Sequence, residues 1–222
     1  MINILEQILL FTRMKKMKIL NLYSGLGGNR KLWPDSVQVT AVEYDERIAD
    51  FYKSQFPNDT VIKADAIEYL KEHYSGFDFI WASPPCQSHS QYRHRVGVLA
   101  KGYKMIPIDP SLYFIIRFLM ENFKGKWAVE NVIPYYPYEI QPTIMLQRHP
   151  FWSNFPIEYK EFPKDSIRSK NKISDYKDLF DIADTCIMNK RQALRNCVNP
   201  ELGLHILECA IAYRGNDGNS SR

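Results

Sequence analysis

The feature that most limits the fold is a repeated order of short apolar runs, each ending in a turn or an acidic residue and followed by a helix-like stretch. Lys18 to Tyr23 (KILNLY) runs into the glycine turn Ser24-Gly25-Leu26-Gly27-Gly28, and Val37 to Glu43 ends on a carboxylate before DERIADFYKSQF. Unbroken apolar runs of this length suit strands covered on both faces. Thr60 to Ala64, the helical DAIEYLKEHY and Phe77 to Ala82 (FDFIWA) continue the order with short connections. The first half therefore reads as strand, glycine turn, short helix, then alternating strands and helices. That is an α/β fold with a mostly parallel sheet and helices on both faces.

The texture changes after Ala82. Ten of the thirteen prolines fall between positions 84 and 163, so long loops are expected around one helix, Leu112 to Phe123, and one buried strand, Trp127 to Asn131. The lysine-rich stretch 155–190 has no clear period and reads as a small insertion, and Pro200 to Tyr213 has helical spacing with proline in the first turn. The expected divisions are an N-terminal extension at 1–16, a core at 17–154, the insertion at 155–190, a segment at 191–214 returning to the core, and a disordered tail at 215–222.

Composition narrows the class. A chain of 222 residues with 45% apolar and 24% charged residues can bury a core without staples. The net charge of +4 mildly favours an anionic partner. Cys86, Cys186, Cys197 and Cys209 share no CxxC spacing, so neither a zinc cluster nor a dithiol motif is expected. The apolar start Ile2 to Phe11 is too short for a membrane span and lacks a cleavage site, which points to a cytoplasmic protein with no membrane partner.

Four places carry chemistry. The glycine turn can bring backbone amides close to a cofactor, and Glu43, fifteen residues beyond Gly28, can accept both hydroxyls of a ribose. Tyr44 can stack on a base, and Asp65-Ala66 can read an adenine amino group. In Ser83-Pro84-Pro85-Cys86-Gln87 two prolines fix the backbone before a cysteine at a strand end, where nearby amides would lower the thiol pKa and favour the nucleophilic thiolate. Glu130-Asn131-Val132 brings an acid and an amide to the same sheet edge, where a protonated glutamic acid could donate to a ring nitrogen. Residues 91–104 hold four Lys or Arg and no acid, and read as a mobile loop closing on phosphates.

In order, YSGLGG, VEYD, KADA, SPPCQS, AVENV, QRH and RNCVNPELG resemble the motifs of the DNA cytosine-5 methyltransferases over residues 18 to about 210. The resemblance implies the Rossmann-like fold of S-adenosyl-methionine-dependent methyltransferases, with 155–190 as a small target-recognition insertion. It implies methyl transfer from S-adenosyl-methionine to carbon 5 of a cytosine flipped out of double-stranded DNA. Cys86 is then the nucleophile at carbon 6, Glu130 the acid at ring nitrogen 3, and Asn131 and Arg148 complete the catalytic set. Tyr23, Ser24, Gly25, Leu26, Gly27, Gly28, Glu43, Tyr44, Asp65, Ala66, Pro85 and Asn196 line the cofactor. Gln87, Ser90, Arg93, Arg95, Lys101, Lys104 and His149 contact DNA. A cognate restriction endonuclease stays open as a further partner, and no metal is called for.

Three departures mark the chain. The family's Gln-x-Arg-x-Arg segment is abbreviated to Gln147-Arg148-His149-Pro150, with Pro150 in the second arginine's place and His149 as a substitute contact to the cytosine carbonyl. Arg195 stands where a glycine usually precedes Asn196, and only about 45 residues separate QRH from RNC. Rival readings are a Ser-Pro-Pro amino-methyltransferase of DNA, a tRNA cytosine-5 methyltransferase, a catalytically silent DNA-binding relative, and, at fold level, a NAD-type dehydrogenase. Cys86 and Glu130-Asn131 argue against the first, the intact cysteine against silence, and SPPCQ against the dehydrogenase. The motifs leave the tRNA enzyme open.

Overall fold

The computed structural model describes residues 17–162, 180, 182 and 185–214. The expected extension at 1–16, residues 163–179, 181, 183 and 184 of the insertion, and the tail at 215–222 lie outside the described residues. Among the described residues no helix is long and apolar enough to cross a membrane.

The strands are β1 (Lys18–Leu22), β2 (Gln38–Val42), β3 (Thr60–Ile62), β4 (Phe79–Ala82), β5 (Lys126–Glu130), β6 (Ile144–Leu146) and β7 (His149–Ser153). They form one sheet in the order β3-β2-β1-β4-β5-β7-β6. All pairs through β5 are parallel, while β7 runs antiparallel to both β5 and β6. This is the α/β architecture of S-adenosyl-methionine-dependent methyltransferases. The helices are α1 (Glu46–Gln55), α2 (Ala66–His73), α3 (Ser111–Asn122), α4 (Lys190–Arg195) and α5 (Pro200–Ala212).

Central strands are buried on both faces because successive side chains point to opposite sides and helices cover each. Ile19, Phe79, Trp81 and Phe151 pack with Trp33 and with Leu202, Ile206 and Ala210 of α5. Their neighbours Leu20, Ile80, Val129 and Trp152 pack on the opposite face with Leu70 of α2 and Leu112, Ile115 and Leu119 of α3. Three helices start where their sequences supply an N-cap: Asp45, Asp65 and Asn199 each accept two backbone N–H bonds of the first turn.

Three expectations are corrected. No helix follows the glycine turn: Ser24 to Trp33 is a chain of tight turns closed by Gly27 N–H to Ser24 O (3.0 Å), Arg30 N–H to Gly27 O (3.1 Å) and Trp33 N–H to Arg30 O (2.9 Å). Gly25 and Gly27 at φ 55° and 85° bend the chain out of a right-handed helix. What holds the turns is buried: Arg30 Nε and Nη2 donate to the two Asp59 oxygens at 2.9 and 3.0 Å, and Tyr52 Oη donates to Asp59 at 2.8 Å. α5 closes over them so tightly that a Cβ on Gly203 would sit 2.4 Å from Asn29 O.

The second correction is β6 and β7, a hairpin where only loop was expected. Its turn is Gln147-Arg148, closed by the Leu146–His149 pair, with Gln147 at φ 53°. Third, the basic stretch after Cys86 is not an open loop, since Arg93–Leu99 is wound as a π-helical segment. It is tied to the neighbouring chain by Gln91 N–H to Ile133 O (2.9 Å) and by His94 stacked on Tyr135 at 4.4 Å.

Candidate active site

Parallel strands deliver their carboxyl ends to one edge, and ligands of open α/β sheets bind there. β1 opens into the glycine turn, β2 into Glu43, β4 into Ser83–Cys86 and β5 into Asn131, so the motif residues converge although they are far apart in the chain.

On one side of this edge is a cavity of about 230 Å³ lined by Tyr23, Ser24, Gly25, Leu26, Gly28, Glu43, Pro85 and Asn196 among others. Glu43 Oε2 accepts the Gly25 N–H at 2.9 Å and Oε1 the Asp45 N–H at 3.0 Å, so the carboxylate shapes the turn it faces. Burial pushes its carboxyl above the usual carboxylate value, and the bonds from Asp45, Gly25 and Tyr44 amides oppose that. Gly25 combines a left-handed φ of 55° with open space where a side chain would stand. The buried Ser24 Oγ, also on the wall, has no hydrogen-bond partner among the described residues. Tyr23 is held at φ 54°, and burial raises its phenol to about 12.

Four expected cofactor residues do not line the cavity. Gly27 is turned away, and a Cβ there would meet the Phe56 ring at 2.3 Å. Tyr44 is 79% exposed. Asp65 Oδ1 accepts the Ile67 and Glu68 N–H groups at 2.9 and 3.0 Å, which makes it the cap of α2, and Ala66 is buried in the core behind it. Conversely Asn29, Ile48, Ser83, Ala193, Cys197 and Val198 line the cavity and were missed, and Gln87, expected at the DNA, stands on the same wall. Gly28 alone hinted at the Cys197–Val198 wall: a Cβ on it would lie 2.4 Å from Val198 O.

On the other side of the edge are Cys86 and Glu130. Asn131 joins their two segments: its Nδ2 donates to Pro84 O at 3.0 Å, and its backbone N–H donates to Pro150 O at 3.2 Å. Asn131 is 1% exposed and serves as a brace. Glu130 is nearly buried, and its Oε1 lies 2.5 Å from His149 Nδ1. The imidazole of His149, expected at the DNA, is turned inward onto the acid.

Cys86 departs from expectation in sign. Burial pushes its thiol up to about 11, the nearby Glu130 charge adds to this, and the Arg148 cation on the hairpin turn opposes it. The amide environment expected to favour thiolate is outweighed by loss of water, because a charged sulfur is costly in a dry pocket. Among the expected DNA contacts, Arg95, Lys101 and Lys104 are exposed. Arg93 is half-buried and donates from Nη2 to Lys104 O at 3.3 Å, while Ser90 Oγ accepts the Arg93 N–H at 3.2 Å.

Solved structures with similar architecture include a prophage-encoded E. coli protein described as a DNA modification methyltransferase (20% identity, TM-score 0.36, 55% of this chain and 34% of that one). Others are a SAM-dependent methyltransferase from Agrobacterium tumefaciens (14%, 0.40, 61% and 44%) and a Spodoptera frugiperda DNMT2 mutant (26%, 0.36, 52% and 35%). The matches span less than half the length of each of these proteins. A comparison with curated proteins finds no match. The family model for C-5 cytosine-specific DNA methylase matches residues 17–132, from β1 through Glu130-Asn131-Val132, and this is more than half of the chain, which therefore belongs to that family.

Proposed function

We propose that the protein methylates carbon 5 of a cytosine flipped out of double-stranded DNA, with Cys86 as nucleophile and Glu130 as acid. The observation that carries this is the Asn131 brace: its bond to Pro84 O at 3.0 Å draws the Cys86 segment to the end of β5, beside the Glu43 cavity. Family membership implies S-adenosyl-methionine, and the cavity fits it through the ribose-accepting Glu43, the unpartnered Ser24 Oγ and the side-chain-free face at Gly25. Bound there, the cofactor supplies an electrophilic methyl group.

The protein's own residues do the rest. The Cys86 thiol gives its proton to solvent and its sulfur forms a bond to carbon 6, while Glu130 delivers a proton to ring nitrogen 3, so that electron density collects at carbon 5. Arg148 steadies the thiolate against burial. After methylation, loss of the carbon 5 proton to water lets the sulfur–carbon bond break and returns Cys86. Exposed Arg95, Lys101 and Lys104 hold phosphates, which positions DNA without reading its sequence.

A duplex carrying 5-fluorocytosine tests the reading, since fluorine at carbon 5 blocks the elimination and leaves the enzyme attached. Wild type with cofactor is expected to give a denaturant-stable complex and Cys86→Ser none. A wild type that methylates but is never trapped, or an active Cys86→Ser, refutes the assignment.

A further inference from the structure

His149 opens β7 immediately after the Gln147-Arg148 turn, and main-chain pairing fixes it from both sides. Leu146 pairs with it across the hairpin, and next to it Pro150 O accepts the Asn131 N–H at 3.2 Å. The backbone of His149 is therefore fixed relative to the end of β5. Its Nδ1 lies 2.5 Å from Glu130 Oε1, with side chains only 13% and 9% exposed. In such a site a short bond between an acid and a fixed ring nitrogen is strong and directional. Cys86, from the segment after β4, senses both the Glu130 charge and the Arg148 cation on the hairpin turn.

A carboxyl group has two oxygens, and an acid catalyst must present the protonated one. In the tautomer with hydrogen on Nδ1, Oε1 accepts that N–H and the proton of the neutral acid is left to Oε2. We propose that His149 is the positioning residue of Glu130: its Nδ1–H holds Oε1 so that Oε2 carries the proton to ring nitrogen 3 of cytosine. This deepens, and rests on, the reading of Cys86 and Glu130 above. As the Cys86 thiolate pair forms the bond to carbon 6, the Oε2–H bond breaks and the proton passes to nitrogen 3. The carboxylate left behind keeps its bond to Nδ1–H, which becomes charge-assisted and stronger at that moment. On elimination nitrogen 3 returns the proton to Oε2 and the pair returns to sulfur. His149 thus acts through Glu130 and touches no substrate atom.

Single-turnover trapping on the 5-fluorocytosine duplex tests this with four proteins. His149→Ala is expected to slow adduct formation about 10- to 100-fold, the usual cost of losing the partner that orients a working group. Duplex and cofactor affinities should stay unchanged, so the loss appears in the rate and not in binding. His149→Asn, whose amide N–H can reach the same oxygen, should recover most of the rate, which a merely structural histidine would not allow. In a Glu130→Gln background, His149→Ala should cost nothing further, because residues acting in series are not additive. A His149→Ala enzyme that traps at the wild-type rate overturns the proposal, and so does an equal loss in the Glu130→Gln background, which would place His149 on the substrate itself. A wild type that forms no adduct instead removes the underlying reading, and the role of His149 with it.

Discussion

The two halves of the carboxyl edge are built on different principles. The cofactor side is main chain held by prior bonds: left-handed residues at 23, 25 and 27, and a Glu43 carboxylate already accepting the Gly25 and Asp45 amides. The catalytic side is made of side chains held short of reactivity, with Cys86 protonated by burial and Glu130 bound to His149 rather than to a base. Binding a cofactor benefits from a site that needs no rearrangement. A nucleophile benefits from staying neutral until its substrate fills the pocket, since a thiolate standing ready would react with any electrophile. The first side is thus stiffened from beneath, and under the proposed function the second is gated by its occupant.

The largest effect should come from removing what lies beneath the cofactor side. Asp59→Ala leaves Arg30 buried at 3% exposure with only the exposed Asp35, at 3.9 Å, as an acidic partner; loss of a buried partner typically costs about 3–5 kcal/mol, so the urea midpoint should fall sharply. Replacing both partners by apolar residues of similar size should cost much less. If Asp59→Ala unfolds at the wild-type urea concentration, the glycine turn is held by something other than this pair.

Next in size is Glu43→Ala. Loss of charge-assisted hydrogen bonds worth about 1.5–3 kcal/mol should weaken S-adenosyl-methionine binding roughly ten- to over a hundred-fold. Because Glu43 also holds the Gly25 N–H at 2.9 Å, part of that loss reflects a looser turn. Calorimetry reads it, and an unchanged affinity would move the ribose site off Glu43 while leaving the catalytic side untouched.

The same contrast explains what could be read from the chain. Strands β1 to β5 and helices α1, α2, α3 and α5 are local and periodic, and their readings differ from the structure only by a residue or two at the ends. Asp65 shows that one residue type serves two purposes: Asp-x-x-Glu before an apolar helix is a capping pattern, and Asp65 Oδ1 forms that cap. The β6–β7 hairpin carried no signal, since its left-handed turn residue is Gln147 rather than glycine or asparagine, and proline sits inside β7. The Arg30–Asp59 pair and the Glu130–His149 contact join residues 29 and 19 apart in sequence, beyond any local pattern. The direction of the Cys86 shift was missed because it depends on how dry the folded pocket is, and dryness is a property of packing.

The smallest expected effect separates burial from charge on the gated side. The thiolate is the species that alkylates, and a thiol at about 11 is ionised to roughly one part in ten thousand at pH 7. In the free enzyme the rate at which iodoacetamide labels Cys86 should therefore climb about tenfold per pH unit from 7 to 10 and level off only near 11. The exposed Cys186 should label first and the buried Cys197, raised to about 12, last, so peptide mapping by mass spectrometry gives each rate with its own internal controls. Glu130→Gln removes the negative charge that ranks second to burial among the causes, which lowers the thiol value and speeds labelling at fixed pH. The gain should be no more than about tenfold, one unit of coupling, because the desolvation that dominates remains. A larger gain would make Glu130, not burial, the gate on Cys86. No gain at all would mean that the two groups do not sense each other, and the catalytic side would lose the proximity on which the proposed adduct depends.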